Sequence, residues 1–329
     1  MDNGKMKVKL PIHCSLLIAL CSLLLVLCTL FLACRTAPKT LDPFTEPLIP
    51  LESGAFAYAL VDVKASRPVL DLLTIQGIGD KEKGLILDKM DLMAAALYRP
   101  GSERRFQIAA WGDVRPSQGR FIFGANKSWK KMKCSLKHEY WYSPENKMSV
   151  ALDMRQAYVV QADSDIAPCT HSAGTQVPND FMAFSRGSVM SCWITEAASF
   201  VNSMFDDLGI PLNIPAELIF LSVLPANEKN SEGLETTGSY EMLVRIQTPS
   251  ATQARSLVRI ISMARVLSNN FSAAGNLKPV LEFLLSNELV QDDKYINIKT
   301  RVINTQGIAL LIDAITVYSK SNNQKQLVL

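Results

Sequence analysis

The stretch AFAYALVDV, residues 55–63, is apolar at nearly every position. A strand with one face in water alternates apolar and polar residues, so an unbroken apolar run of this length indicates a strand that is buried on both faces. Pro68 follows shortly afterwards and predicts the first turn of a short helix that ends at Leu73, because a first turn does not need the N–H that proline lacks.

Helices and strands alternate in the residues that follow. Asp80 is a typical N-cap residue, and apolar side chains recur after it at helical spacing as far as Tyr98, which predicts a helix over residues 80–98. We expect a strand over residues 104–114 and a meander of strands over residues 129–162. A polar stretch with two prolines separates this part from the next.

The same order of elements recurs after the polar stretch. We predict strands at residues 188–195, 239–248, 295–303 and 308–318, and helices at 196–205, 215–224, 250–269 and 277–286. The recurrence predicts an α+β fold built from a duplicated strand-helix-helix-strand-hairpin unit with mostly antiparallel sheets, preceded by an N-terminal hydrophobic helix. An undivided α+β domain with the same order of elements is the alternative.

Six segments follow from these patterns. They are a hydrophobic segment (1–33), a proline-rich tether (34–52), a first repeat (53–163), a linker (164–187), a second repeat (188–320) and a polar tail (321–329).

The N-terminus has the pattern of a secretion signal or a membrane anchor. Lys5, Lys7 and Lys9 precede a run over residues 10–33 that contains no Asp, Glu, Lys or Arg. Such lysines stay on the cytoplasmic side while the apolar run enters the bilayer. The run is longer than the ~7–15 apolar residues of a signal peptide and close to the ~20 that span a membrane. A cleaved signal and an uncleaved signal-anchor helix are therefore both open.

Cys34 ends this run in the sequence Phe31-Leu32-Ala33-Cys34, which resembles the relaxed lipoboxes of spirochaete lipoproteins. The resemblance implies that Cys34 becomes the lipidated first residue of the mature chain; a buried thiol at the end of a membrane helix is the alternative. Prolines are frequent in the next residues, which is typical of an extended tether. We therefore expect a protein that is lipid-anchored at the cell membrane, outside the cytoplasm, on the periplasmic side or at an outer membrane.

Composition narrows the classes of function. The 329 residues are 48% hydrophobic and 20% charged, with a net charge of +3. Most of that charge comes from the three N-terminal lysines, so the rest of the chain is nearly neutral and a strongly basic nucleic-acid binder is excluded. The positive mean hydropathy of +0.11 comes largely from residues 10–33.

Few residues are available for metal binding or catalysis. The three histidines are His13, His138 and His171. Their spacing matches no zinc motif, and the chain has no nucleophile motif, nucleotide-binding glycine loop or calcium loop. Because the folded part has three cysteines, it permits one disulfide at most. The three cysteines are Cys134, Cys169 and Cys192. We therefore predict a protein without catalytic activity, metal or cofactor.

Two groups of residues are candidates for binding. Aromatic residues alternate with lysines in the first meander and form a candidate binding face for an envelope protein or polymer: Trp129, Lys131, Tyr140, Trp141 and Tyr142. Packing of these strand aromatics in the core is the alternative. The predicted helix over residues 250–269 carries a candidate contact for anionic lipid, with a solvated helix face as the alternative. Its residues are Arg255, Arg259 and Arg265.

Four short stretches resemble poorly characterised spirochaete lipoproteins. They are IAAWGD at 108–113, SWKK at 128–131, YWYS at 140–143 and SVAL at 149–152. The resemblance implies an envelope location and supplies no catalytic residue. The sequence thus predicts a membrane-anchored extracytoplasmic lipoprotein that binds or scaffolds in the cell envelope. The alternatives are a signal-anchored single-pass membrane protein with the same ectodomain and an envelope enzyme whose carboxylates are scattered in sequence.

Overall fold

The structure is a computed structural model that describes residues 51–72, 84, 87–99, 102–117, 123–124, 127–133, 139–153, 155–168, 177–199, 202, 215–226, 238–267, 287–300 and 302–308. Its strands are β1 Ala57–Asp62, β2 Met90–Leu97, β3 Arg104–Gly112, β4 Lys130–Lys133, β5 Glu139–Ser143, β6 Met148–Asp153, β7 Gln156–Ala162, β8 Met190–Ile194, β9 Leu218–Pro225, β10 Ser239–Gln247, β11 Glu288–Asp292, β12 Tyr295–Lys299 and β13 Ile303–Asn304. Its helices are α1 Arg67–Leu72, α2 Asn179–Phe184 and α3 Ala251–Leu267.

All thirteen described strands belong to one antiparallel sheet. The strand order is β11-β12-β10-β9-β8-β1-β2-β3-β7-β6-β5-β4, and β13 pairs with β10 beside β12. The apolar stretch at residues 55–63 forms β1, which lies in the interior of the sheet between β2 and β8. Each predicted repeat therefore begins with a three-stranded meander, and the two meanders meet at the β1–β8 pair.

The predicted α+β class is wrong, because the described chain is mainly β with few, short helices. The residues predicted as a helix over 80–98 contain β2, and those predicted as a helix over 215–224 form most of β9. In β2, Leu92 and Ala94 face one core while Met93 and Ala95 face the other. A strand that is buried on both faces loses the alternation that distinguishes it from a helix, and the apolar spacing of residues 86–97 then matches a helix by coincidence.

Hydrophobic cores cover both faces of the sheet. One face of β2, β3 and β5 to β7 packs around Phe106, Trp141 and Met148. The opposite face, at the centre of the sheet, packs Tyr58, Trp193 and Phe220 against α2. Helix α3 covers β9, β10 and β12 on the face away from α2 through Ala254, Leu257 and their neighbours.

Several predicted elements are confirmed. The helix that Pro68 begins is α1, and the helix over 250–269 is α3, where the backbone N–H of Gln253 donates to Ser250 Oγ at 3.3 Å as in an N-cap. The strands predicted over residues 104–114, 188–195 and 239–248 are β3, β8 and β10, and the meander over 129–162 is β4 to β7.

Other predictions lie outside the described residues. These are the apolar run, Cys34, Cys134, Cys169, His138, His171, the helix over 277–286 and the polar tail. Among the helices of the described ranges, none combines the length and the apolar composition needed to cross a bilayer.

Candidate functional site

The predicted aromatic and lysine face is divided between the core and the surface. Trp129, Tyr140 and Trp141 are buried. The ring centroid of Phe123 lies 4.6 Å from that of Trp129 and 5.1 Å from that of Trp141, so these rings pack in the core that covers β2, β3 and β5 to β7. They are therefore not on an outer surface.

The remaining two members of that face lie nearer the solvent. Tyr142 is half-buried, and Lys131 is exposed and forms an ion pair of 2.7 Å with Glu139. Lys131 lies on β4, the outermost strand on that side of the sheet. What this surface offers a partner is therefore the charge of an outer strand rather than an aromatic platform.

Helix α3 carries two arginines of the second predicted group on its outer side. Arg255 and Arg259 are exposed, and neither forms an ion pair with another residue of the described ranges. Met263 lies on the same side with 64% of its surface exposed. Arg265 belongs to the same helix. The helix has no acidic residue, so its outer side is basic, and among its described side chains it exposes the apolar Met263.

A half-open groove of about 640 Å³ lies on the face of the sheet that α3 does not cover. It runs between the C-terminal end of α2 and the last three strands at one end of the sheet, β10, β12 and β11. Its lining includes Phe184, Arg186, Leu243, Arg245, Val290 and Asn297. We call it the α2 groove. Its volume lies in the range that small-molecule sites occupy, about 300–1,000 Å³.

Arg245 is held in the floor of the α2 groove by three neighbours. Its guanidinium carbon lies 5.2 Å from the ring centroid of Phe184 and 5.5 Å from that of Tyr295, which are cation–π distances. Its Nε donates to Asn297 Oδ1 at 2.8 Å. The two terminal nitrogens have no hydrogen-bond acceptor among the described residues, so a preorganised pair of donors is available to a ligand.

Strand register explains why these residues meet. Arg245 pairs with Phe220 on β9 and with Asn297 on β12, and Asn297 pairs with Val290 on β11. Directly opposite residues of neighbouring strands share a face, so these four form one row across the sheet. Tyr295 lies in the next row.

The hydroxyl of Tyr295 ties the sheet to α2 at one end of the groove. It donates to Asp180 Oδ2 at 3.1 Å, and partial burial together with the Asp180 carboxylate raises the pKa of Tyr295 above its usual value. The ring of Tyr295 thereby stays beside Arg245, in a position from which it can support the guanidinium.

The charge of the α2 groove is positive. Arg186 and Arg245 line it together with Lys299 and one carboxylate, Glu288. Lys299 is paired with Glu241 at 2.9 Å, so it adds little net charge. A groove that has positive charge next to apolar side chains suits an anion that carries an apolar part.

Several other titratable groups with shifted pKa values lie away from the α2 groove, and their shifts come from burial or from hydrogen bonds within the fold. Burial raises the pKa of the Cys192 thiol on β8 to about 12 and that of Tyr158 to about 12. Burial also raises the pKa of Tyr98, whose hydroxyl donates to Gln107 Oε1 at 2.8 Å. Hydrogen bonds from Lys147 and Arg105 lower the pKa of Asp163. Within the described ranges, no group of three or more His, Cys, Asp or Glu side chains is arranged to hold a metal ion.

The α2 groove was missed by the sequence analysis. Its available signal is the alternation of β10 and β12: Met242, Val244 and Ile246 share one face of β10, and Arg245 lies on the other. That alternation marks a polar face, but only the strand pairing shows that Arg245 and Asn297 are adjacent.

Comparisons with known proteins identify a similar fold and no family. No family model matches the chain, and no curated protein matches it. Three crystal forms of TP0453, a protein of the spirochaete Treponema pallidum, have similar structures at 16% identity. For crystal forms III, IV and I the TM-scores are 0.55, 0.54 and 0.52. The matches cover 83%, 80% and 84% of this chain and 98%, 95% and 98% of TP0453. The chain therefore shares its fold with a spirochaete protein.

Proposed function

We propose that the protein is a membrane-anchored extracytoplasmic lipoprotein of the cell envelope, attached through Cys34, that binds an anionic ligand in the α2 groove. The observation that carries the binding activity is Arg245, whose terminal nitrogens have no acceptor in the described chain although aromatic rings and Asn297 hold the side chain in place. Guanidinium groups recognise carboxylate and phosphate groups through paired hydrogen bonds.

The floor beside Arg245 supports a ligand with an apolar part. Phe184 and Leu243 line the groove, and both are half-buried rather than covered by other side chains. Val290 at the outer side is 50% exposed. An aryl or alkyl group next to an anionic group would therefore cover apolar surface while its charge meets the guanidinium.

A melting experiment tests the groove. Tryptophan fluorescence of the full chain in a mild non-ionic detergent is followed on heating, with and without phenyl phosphate, and with the uncharged phenol as a control for the ring. We expect phenyl phosphate to raise the Tm of the wild type, because a ligand that binds only the native state stabilises it. Arg245→Gln is expected to lose this shift.

Arg255→Gln is the matched control, because it removes the same charge from α3, outside the α2 groove. It is expected to keep the full shift. Equal shifts in Arg245→Gln and in the wild type would contradict binding at the α2 groove.

Metabolic labelling tests the anchor separately. A radioactive fatty acid is expected to label the wild type and not Cys34→Ala, and equal labelling of both would refute lipidation at Cys34. Mass spectrometry of the mature N-terminus distinguishes the signal-anchored alternative, since an intact Met1 means that no cleavage occurs.

A second candidate activity is contact between α3 and anionic lipid. It is favoured by Arg255 and Arg259, which have no ion-pair partner in the described ranges, and by the exposed Met263 on the same side. A fluorophore that reports polarity is attached to Met263→Cys in a full chain that also carries Cys134→Ser and Cys169→Ser. Its emission is expected to shift to the blue in phosphatidylglycerol vesicles. No shift relative to phosphatidylcholine vesicles would refute this contact.

The enzyme alternative needs two or more convergent acids at one site. The lining of the α2 groove contains the single carboxylate Glu288, so this groove does not favour that alternative over ligand binding.

A further inference from the structure

Strands β4 and β11 are the outermost strands of the sheet. In the described ranges each pairs on one side only, β4 with β5 and β11 with β12. An outer strand presents backbone N–H and C=O groups that can pair with another chain, and proteins commonly control this with charged side chains.

The two outer strands carry opposite charges. β4 reads KKMK and has three lysines, of which Lys131 is paired with Glu139 while Lys130 and Lys133 have no ion pair in the described chain. β11 reads ELVQD, and its acids Glu288 and Asp292 are exposed and have no ion pair there either. Like charges oppose the pairing of β4 with β4 and of β11 with β11, whereas β4 and β11 attract each other.

The topology makes a β4–β11 pair possible between copies of the chain. Twelve strands form the continuous path, and every neighbouring pair is antiparallel. The first and last strands of an even number of alternating strands run in opposite directions. A second copy can be translated perpendicular to the strands without any rotation, so that its β4 lies beside β11 of the first copy. The two strands are then antiparallel, and the two copies present the same sheet face on the same side.

One register of the β4–β11 pair places an apolar residue opposite an apolar residue and an acid opposite a lysine. Val290 is one of the most exposed large apolar residues of the described chain, at 50%, and Met132 is half-buried on β4. Placing them opposite each other sets Asp292 opposite Lys130 of the second copy. The strand pairing shows that Val290 and Met132 belong to the same sheet face, since both lie in rows on the α2 side.

We propose that the protein associates head to tail with a second copy of itself, β11 of one copy pairing with β4 of the next in this register. The interface is heterologous, so each copy keeps one open edge and the association can continue as a chain or close as a ring. This inference rests on the two sheet edges. Val290 also lines the α2 groove, but the pairing requires neither ligand binding in that groove nor lipidation.

Site-specific cross-linking tests the register. Val290→Cys and Met132→Cys are introduced into separate full chains that also carry Cys134→Ser and Cys169→Ser, so that native thiols next to β4 or elsewhere do not cross-link. The chains are purified in a mild non-ionic detergent and oxidised with copper phenanthroline at about 50 µM. Directly opposite Cβ atoms in an antiparallel pair are ~4.5–5.5 Å apart, close enough for a disulfide after a small adjustment. We expect the mixture of the two variants to give at least tenfold more covalent dimer than either variant alone or the oxidised wild type.

Exchanging the charges of Asp292 and Lys130 tests whether opposite charges on β11 and β4 hold the pair together. Adding Asp292→Lys to the Val290→Cys chain is expected to abolish the cross-link with Met132→Cys, and adding Lys130→Glu to the Met132→Cys chain is expected to restore it. Raising NaCl from 50 to 500 mM should lower the yield several-fold, because salt screens exposed charges. The proposal is overturned if the mixture gives no more dimer than the single variants, or if Val290→Cys alone cross-links as well as the mixture does.

Discussion

Replacing Gly112 by alanine tests the pairing of β2 with β3, which the sequence analysis missed. A Cβ at this position would lie 2.0 Å from the carbonyl oxygen of Lys89 and 2.9 Å from Cα of Met90. Both are backbone atoms, so no side chain can move aside, and one strand must shift by about 1 Å to reach the closest approach of ~3.0 Å that real Cβ atoms show. If residues 80–98 were a helix, this close approach would not exist.

The expected loss of stability in Gly112→Ala follows from the contacts that such a strand shift disturbs. Overpacking in a core costs about 1–3 kcal/mol. The N–H of Asp113 donates to the Lys89 carbonyl at 2.9 Å, and the N–H of Gly112 donates to the Arg155 carbonyl at 3.1 Å; weakening these adds about 1 kcal/mol. Gly112→Ala should therefore lower the free energy of unfolding by about 2–4 kcal/mol, which corresponds to a drop in Tm of about 4–10 °C.

The assay is thermal unfolding of the full chain, followed by tryptophan fluorescence and far-UV circular dichroism. Gly124→Ala is the matched control, because a Cβ there has no heavy atom within 4 Å and its backbone is not in the left-handed region. The control should leave Tm within about 2 °C of the wild type or raise it slightly. A Gly112→Ala variant that melts together with the control would refute the β2–β3 pairing described above.

Three further predictions follow from burial and charge. Burial raises the pKa of Cys192 to about 12, so at pH 8 only roughly one thiol in ten thousand is ionised; peptide mapping should show it unmodified by iodoacetamide in the native chain and modified in urea. Hydrogen bonds from Lys147 and Arg105 hold the pKa of Asp163 below its ordinary 3.8, so its carboxylate stabilises the fold above that pH and the contribution is lost as the pH falls through the lowered pKa. Asp163→Asn should thus cost less than about 1 kcal/mol at pH 7 by denaturant titration, with a difference that shrinks toward pH 2.5. Phe220→Ala should cost about 3–5 kcal/mol by the same titration, because the ring is fully buried in the central core.

Elements with one clear periodicity were predictable from the sequence. In α3 the apolar residues Ala254 and Leu257 alternate with exposed Arg255 and Arg259 at helical spacing, and Ser250 supplies a cap. The meander β4 to β7 has turn residues between short strands, including residues 144–147 after Ser143. Local sequence decides such elements because one face is buried and the other is solvated.

Elements in the middle of the sheet were not predictable in the same way. In β9 the residues Ile219 and Phe220 are neighbours that are both buried, in different cores on opposite faces. A helix and a doubly buried strand both produce a continuous apolar run, and the choice between them depends on the neighbouring strands, which are distant in sequence. The α2 groove depends on the same long-range pairing, since Phe184, Arg245 and Asn297 come from three separate segments.

The sequence by itself determined the apolar N-terminal run with its lysines, the nearly neutral remainder, the buried character of residues 55–63 and the amphipathic helix α3. These depend on composition and on contacts between near neighbours in the chain. Only the tertiary structure decided that β1 joins two three-stranded meanders into one sheet, that Trp129 and Trp141 are core residues, and that the outer strands are β4 and β11 with opposite charges. The physical reason is that strand order and register arise from backbone hydrogen bonds between distant segments, which local patterns do not encode.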